Sequence, residues 1–304
     1  MIMARVPKVV VVGSFMMDLV FRAPRRPSQG ETLAGSSFGM FPGGKGANQA
    51  VAAARLGAQV SMIGCLGNDD FGKKFFELMN NEGINTSHIV VDESVGTGVS
   101  NPVVEDSGEN SIIIVPQANL RLTVEHIRQS AKLIQEADVL LLQLESSLDA
   151  SIEAARIAHD AGVKVVLNPA PYQELPKDFL EIVDVIVPNE VEFGGLTGSD
   201  SDDLDECIVL ARDLMARGPK VVIITLGSRG ALVVTAEQAK HVQGEAVSNV
   251  VDTTAAGDAF CGALAFGLAS GNDPFDSVNY ANKVAAVAIT RLGAIPSLPR
   301  SNEV

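Results

Sequence analysis

The 304-residue chain is 46% apolar and carries a formal net charge of −14, from 23 basic and 37 acidic residues. That length and apolar content suit one large α/β domain, and the acidic balance argues against nucleic acid or an anionic membrane surface as partner. Cys65, Cys207 and Cys261 are far apart without a CxxC, and the four histidines show no HExxH; no apolar run reaches membrane length, and Met1–Pro7 lacks an apolar leader core. The expectation is a cytoplasmic protein with reduced thiols, no zinc site and no signal peptide.

Lys8–Gly13 is a short β-branched run ending in glycine and reads as a buried strand. Asp18 follows just past its end, placed either to hold a ligand hydroxyl or to cap a turn. Residues 19–42 change character: Leu19–Phe21, Glu31–Leu33 and Ser37–Met40 read as short strands joined by turns at Pro24, Pro27 and Gly30. Gly39 to Lys45 nearly spells a phosphate-binding P-loop, but Gly46 stands where a Ser or Thr must meet the metal, so that reading is rejected. Gly43 and Gly44 suit a tight turn or a close approach of backbone to ligand. Asn48 enters a helix Ala47–Leu56, as its cap or as a ligand-binding group.

Val60–Gly64 reads as the next strand and Asp69–Asn81 as a helix. Residues 95–117 are again extended, with turn chemistry at Asp106-Ser107-Gly108. The two excursions predict a lid of roughly 18–42 and 96–117 over a cleft, within a single domain of 1–304. From residue 121 the rhythm is regular: helix Thr123–Glu136, strand Val139–Leu144, helix Asp149–Ala161, strand Lys164–Leu167, strand Val183–Val187, helix Asp203–Arg217, strand Val221–Thr225. This alternation predicts a doubly wound parallel sheet, and Glu145, Asn168, Asn189, Glu192 and Ser228 fall near strand ends, where such sheets bind ligands. Glu145 equally suits a helix start, and Asn189 with Glu192 a loop-and-cap pair.

The chemistry is placed at Val251–Phe260. Small residues Ala255–Gly257 admit a ligand close to the backbone, and Phe260, Leu264 and Leu268 recur at helical spacing until Gly271. A helix therefore opens here, its free N–H groups and dipole favouring an anion. Asp258 in the first turn is either an ordinary N-terminal acid or a base for phosphoryl transfer. A last helix, Asn279–Leu292, ends at Gly293–Ser297. A dinucleotide-binding oxidoreductase needs GxGxxG after the first strand, which Gly13-Ser14-Phe15 does not supply.

Gly43-Gly44-Lys45-Gly46-Ala47-Asn48-Gln49-Ala50, Gln143-Leu144-Glu145, Asn168-Pro169-Ala170, Pro188-Asn189-Glu190 with Glu192, Thr225 to Gly230 and Asp252 to Asp258 together resemble the ribokinase family, from about Val9 to Pro299. The resemblance implies a three-layer α/β/α doubly wound sheet with a small β-sheet lid. It also implies ATP-dependent phosphorylation of D-ribose at O5. By similarity Asp258 is the base, and Ala255, Ala256, Gly257 and Asp258 form an anion hole. Met16, Asp18, Gly44, Lys45, Gly46, Asn48 and Glu145 would hold the sugar. Asn189, Thr225, Leu226, Gly227, Ser228, Arg229, Gly230, Gly257 and Asn282 would contact ATP. Glu192, beside Asn189, would organise Mg2+ through water. Asp252 and Thr254, with the chain around Ala288, Arg291, Gly293 and Ser297, would bind K+, and the lid would make a homodimer.

The sequence departs from the family pattern in places. Met16 stands where some members carry an asparagine that contacts a sugar hydroxyl, and similar deoxyribose kinases carry methionine there. Gln117 replaces a usual glycine, Ser100-Asn101-Pro102 is polar for the lid, and Asn282 stands where a histidine is sometimes found. These departures keep 2-deoxyribose or another pentose open as substrate. A sugar or nucleotide sensor without turnover is the alternative of another class; intact Asp258, Lys45 and Ala255–Gly257 oppose it, because a sensor needs no base.

Overall fold

The computed structural model describes residues 5–304, so part of the stretch Met1–Pro7 read for a leader lies outside the described residues. At its centre β1 (Lys8–Val12) sends Val9 and Val11 into one apolar layer and Val10 and Val12 into the other. A strand covered on both faces needs apolar side chains at consecutive positions, which these valines provide. The chain then leaves the main sheet through β2 (Met16–Ala23) and β3 (Ser37–Gly43), an antiparallel pair. It returns through α1 (Lys45–Arg55) to β4 (Gln59–Gly67), parallel to β1. α2 (Asp70–Asn81), capped by the Asp69 carboxylate on the Gly72 N–H at 2.8 Å, leads to an edge strand, β5 (Asn85–Asp92). β6 (Val99–Glu105) and β7 (Asn110–Val115) join the earlier pair in a separate four-stranded sheet of order β3-β2-β6-β7.

The second half alternates. α3 (Val124–Gln129) and α4 (Ala131–Gln135) precede β8 (Val139–Leu142), α5 (Leu148–Asp160) and β9 (Lys164–Leu167). α6 (Lys177–Leu180), β10 (Val185–Ile186), α7 (Glu190–Thr197), α8 (Leu204–Met215) and β11 (Val221–Thr225) follow. β12 (Ala231–Val234), β13 (Ala239–Val242), α9 (Ala256–Ala269) and α10 (Pro274–Ala288) complete the chain. The main sheet runs β13-β12-β11-β10-β9-β8-β1-β4-β5. Buried residues of α1, α2, α9 and α10 cover one face and those of α3 to α8 the other, giving three layers. Strand order runs outward in opposite directions from β1 and β8. The crevice of an open α/β sheet belongs at the C-terminal ends of such a pair, here Gly13-Ser14 and Gln143 to Glu145.

Some expectations change. The sheet is not parallel throughout, because β12 and β13 add an antiparallel edge. Glu31–Leu33 forms no strand; the turn is closed by Glu31, which pairs with Arg25 at 2.6 Å and accepts the Ser28 N–H at 2.8 Å. The helix expected over Thr123–Glu136 breaks at Ser130, whose hydroxyl donates back to the His126 carbonyl at 3.1 Å. α10 starts at Pro274 behind the capping Asp273 and stops at Ala288, so Arg291 lies in a turn. The three cysteines are buried free thiols, and no described helix is long and apolar enough to cross a membrane.

Candidate active site

The crevice is closed at its base by contacts that only glycine permits. Gly44 has φ +90°, and a Cβ there would lie 2.6 Å from the Met16 nitrogen; at Gly46 it would lie 2.4 Å from the Ser14 nitrogen. The start of α1 is thereby laid against the turn between β1 and β2. Glu145, beyond β8, accepts the Lys45 backbone N–H at 3.0 Å and the Ser14 hydroxyl at 2.5 Å, and that hydroxyl accepts the Gly46 N–H at 3.3 Å. Glu145 thus serves the start of α1, and the backbone of Gly46 is spent on Ser14. Asn48 lies inside α1 and is no cap.

Asp258 does not cap its own helix, contrary to the ordinary reading of a first-turn acid: α9 has no side-chain cap. Its Oδ2 accepts the Asn48 Nδ2 at 2.8 Å and its Oδ1 the Gln49 Nε2 at 2.9 Å, both across from α1. Ala255, at the cap position, is left-handed with φ +61°, a conformation costing a non-glycine residue roughly 1–2 kcal/mol. Among the described residues the N–H groups of Ala255, Gly257 and Asp258 have no hydrogen-bond partner, whereas that of Ala256 donates to the Thr253 carbonyl at 3.2 Å. Three of the four amides expected in the anion hole are free, and the one from Ala256 is engaged.

Charges converge on this point. Burial works against the Lys45 ammonium, but Asp258, Glu145 and Glu192 around it outweigh burial and hold its pKa above the ordinary lysine value. It forms no ion pair within 4.0 Å among the described residues and lines the cavity with Asp258 and Glu192. Asp18 on β2 is pushed up to about 6 by burial; the Ser100 hydroxyl at 2.5 Å eases this, and Glu145 and Asp258 add repulsion. Burial likewise raises Glu192, against the opposing effects of the Asn189 N–H and Lys45. Asn189 and Glu192 are the loop-and-cap pair: Asn189 Oδ1 accepts the Glu192 N–H at 2.8 Å, and Glu192 Oε2 accepts the Asn189 N–H at 2.9 Å. That box sets both side chains on the wall of the Asp258 cavity.

A second groove, of about 330 Å³, shares Thr225, Thr253, Ala256 and Gly257 with that cavity. Gly227, Ser228 and Gly230 form one side, and Val247, Val250, Ala285 and Ile289 the other. Asn282 lines it too, its Nδ2 donating to the carbonyls of Val242 at 3.3 Å and Gln243 at 3.1 Å. Leu226 is buried in the core, and Arg229 turns to Glu190 at 2.5 Å, so neither side chain lines the groove. Val247 and Val250 lie in the irregular stretch after β13, where the sequence has no period to read.

Beside α9, Asp252 accepts the N–H groups of Thr254 and Gly293, each at 2.9 Å. Burial opposes its carboxylate, but these bonds outweigh it and hold the pKa below the ordinary value. Ser297 donates to the Ala294 carbonyl at 2.7 Å and the Arg291 N–H to the Ala288 carbonyl at 3.1 Å. An all-oxygen donor set with one full charge fits a monovalent cation and not a soft metal. No group of three or more His, Cys, Asp or Glu among the described residues could hold a metal, so Mg2+ at Glu192 fits only as a hydrated ion.

Sequence reasoning gave no role to Ser14, Gln49 or Gln143, and none beyond its place near a strand end to Asn168. The last three form a buried amide relay, Gln143 Nε2 to Gln49 Oε1 at 2.6 Å and Gln49 Nε2 to Asn168 Oδ1 at 3.1 Å. They stand within the quoted motifs, but their contacts span three separate elements and leave no local spacing to read.

A carboxylate and free amides at one helix start, between a polar crevice and a groove, define a phosphotransferase acting on a small hydroxyl-rich acceptor. The chain matches the family described as pfkB family carbohydrate kinase over residues 6–301, and it belongs to that family. It is 40% identical to the ribokinase of Haemophilus influenzae, over 96% of this chain and 95% of that protein. It is 36% identical to the deoxyribokinase of Salmonella typhi, over 97% of each. Its fold is similar to that of Arabidopsis thaliana ribokinase complexed with ribose and ATP, with a TM-score of 0.94 and 30% identity over 98% of this chain and 97% of that one.

Proposed function

We propose that this chain transfers the γ-phosphoryl group of ATP to O5 of D-ribose, giving ribose 5-phosphate, with Asp258 as base. The observation that carries the reading is the setting of Asp258: oriented by Asn48 and Gln49, beside unpartnered amides, where crevice and groove meet. The O5 proton passes to the Asp258 carboxylate as O5 bonds to the γ-phosphorus and the bond to the ADP oxygen breaks. The amides of Ala255, Gly257 and Asp258 hold the charge on the transferring group, and Lys45, on the same cavity wall, serves that charge as well as the sugar it is expected to hold. Asp18, Glu145 and Asn48 take sugar hydroxyls. Asn48 Oδ1 is buried without a partner, a state costing about 1–3 kcal/mol that a bound hydroxyl relieves. Gly44 and Gly46 shape the site by their lack of side chains.

ATP lies along Thr225, Gly227, Ser228, Gly230, Gly257 and Asn282, with the backbone of Leu226 and Arg229 closing the turn that carries the glycines. Glu192 and Asn189 hold the waters of a hydrated Mg2+, which when bound neutralises phosphate charge. Asp252, Thr254 and the turn through Gly293 and Ser297 hold K+, which adds positive charge beside α9. A homodimer through the lid is supported by Phe21, Phe38, Met40 and Ile113, which share one face of that sheet by register and are exposed, Ile113 by 70%. Ile113→Asp is expected to turn a dimer into a monomer in light scattering. The buried free thiols accord with a cytoplasmic site of action.

One observation favours 2-deoxyribose as an alternative acceptor: buried Met16 offers no hydrogen bond comparable to an amide's where β2 enters the site. The test is ADP release with ATP and Mg2+ against ribose, 2-deoxyribose and other pentoses, with and without K+. Ribose-dependent turnover raised by K+ is expected. A ribose rate far below the deoxyribose rate would overturn the acceptor. ATP binding with no turnover on any sugar would overturn the kinase reading in favour of a sensor.

A further inference from the structure

Gln49 and Gln143 are both wholly buried, and neither is among the groups read as touching sugar or nucleotide. Gln49 nevertheless donates to Asp258 Oδ1 at 2.9 Å. A carboxylate only accepts, so the Gln49 amide must present its NH2 end here. Two neighbours fix that orientation. Gln143 Nε2 donates to Gln49 Oε1 at 2.6 Å, and Asn168 Oδ1 accepts from Gln49 Nε2 at 3.1 Å. Asn168 is itself fixed, because its Nδ2 donates to the Val187 carbonyl at 2.9 Å. If Gln49 flipped, its oxygen would face those of Asp258 and Asn168.

The relay leaves a mark. Gln143 Oε1 is buried without a partner, an unfavourable state that follows from pointing the Gln143 NH2 at Gln49. A Cβ at Gly13 would fall on that oxygen, so position 13 is closed to any larger residue that might approach it. An unpaired oxygen on one amide thus accompanies the correct facing of the next.

We propose that Gln49 is a positioning residue for Asp258, and that Gln143 and Asn168 determine which way its amide faces. The proposal rests on reading Asp258 as the base. With Asn48 on Oδ2 and Gln49 on Oδ1, the carboxylate cannot swing about its χ2 angle, and its remaining lone pairs stay aimed at the acceptor hydroxyl.

The test is a double-mutant comparison. Gln49→Met keeps length and removes the donor; Gln143→Met frees Gln49 to flip and removes the unpaired oxygen. Each is made in the parent and in Asp258→Asn, with thermal melts to verify folding. In the parent, Gln49→Met is expected to lower kcat about tenfold to a hundredfold, as loss of a hydrogen bond to a charged group does, with KM for the sugar within about threefold. Gln143→Met is expected to lower kcat by less. In Asp258→Asn either substitution is expected to change the residual rate by less than about twofold, because the carboxylate it orients is gone. Equal losses in both backgrounds, or no loss in the parent, overturn the proposal. Turnover of Asp258→Asn at the parent's rate is a separate result, which overturns the reading of the base and the proposal with it.

Discussion

Gly257 separates what the fold requires from what the site requires. It lies in the first turn of α9, its φ is outside the left-handed region, and a Cβ there meets nothing within 4 Å. The folded chain therefore has room for alanine, and alanine in a helix is worth about 0.5–1 kcal/mol over glycine. At roughly 2–4 °C per kcal/mol for a chain approaching this size, Gly257→Ala is expected to raise the melting temperature by about 1–4 °C. The same empty space is the wall shared by cavity and groove, next to an N–H without a partner. A methyl group there would occupy the place proposed for the phosphates, and a misplacement of about 1 Å costs about a hundredfold in rate. Gly257→Ala is thus expected to be slightly more stable and about a hundredfold lower in kcat/KM for ATP. Thermal melting beside an ADP-release assay measures both. A lower melting temperature shows that the glycine serves folding; unchanged ATP kinetics show that the phosphates lie elsewhere, and either result refutes the reasoning.

Gly262→Ala is the opposite case: its Cβ would lie 2.5 Å from that of Ala52 and 2.7 Å from the Gln49 carbonyl oxygen. Forcing α1 and α9 apart is expected to cost about 1–3 kcal/mol in urea unfolding and to lower kcat. Asp18, pushed up to about 6, binds more protons folded than unfolded between its ordinary value and about 6. Its contribution to stability is therefore full below the unfolded pKa and lost as pH rises through about 6; Asp18→Asn is expected to flatten that part of the urea-midpoint curve. KM for the sugar is expected to fall as the parent's Asp18 ionises through about pH 6, and not to do so in the variant. Arg55, on α1, donates to the carbonyls of Ile295 at 2.9 Å and Leu298 at 2.6 Å and to Glu82 at 2.6 Å. Arg55→Met leaves Glu82 paired only with Arg300 at 3.3 Å and is expected to cost about 3 kcal/mol in urea unfolding, more than Glu82→Gln.

What the sequence disclosed follows from how local each signal is. Lys164–Leu167 and Val221–Thr225 are read to the residue, because apolar runs between polar ends are set by burial on both faces. The lid strands are legible from alternation and turns, but Glu31–Leu33 was overruled by an ion pair that no propensity encodes. β12 and β13 have weaker patterns and pair only by folding back on β11, and the groove residues Val247 and Val250 beyond them lie in an irregular stretch with no period to read. The candidate site shows the same division. Asp258 is visible as an acid in a first helical turn, yet its rejection of the cap role depends on Asn48 and Gln49, some 210 residues away in the chain. Only the juxtaposition of α1 and α9 shows that this acid does not cap its own helix.

That juxtaposition also answers a question posed by the charge. On the proposed reading a chain of net charge −14 has to accommodate a polyanion near Asp18, Glu145, Glu192 and Asp258. Long-range attraction cannot do it, since the overall field repels ATP and salt screens exposed charges within about 10 Å. What remains acts at contact distance. The amides of Ala255, Gly257 and Asp258 stand free at the positive end of α9, and Lys45 is held charged by the carboxylates around it. On the proposed reading the acids divide the work: Asp18 and Glu145 accept the hydroxyls of a neutral sugar, and Glu145, Glu192 and Asp258 favour the charged form of Lys45, the ammonium that faces the phosphate. An acidic site is in this way consistent with phosphate chemistry, because its acids sustain the cation and its backbone supplies the rest.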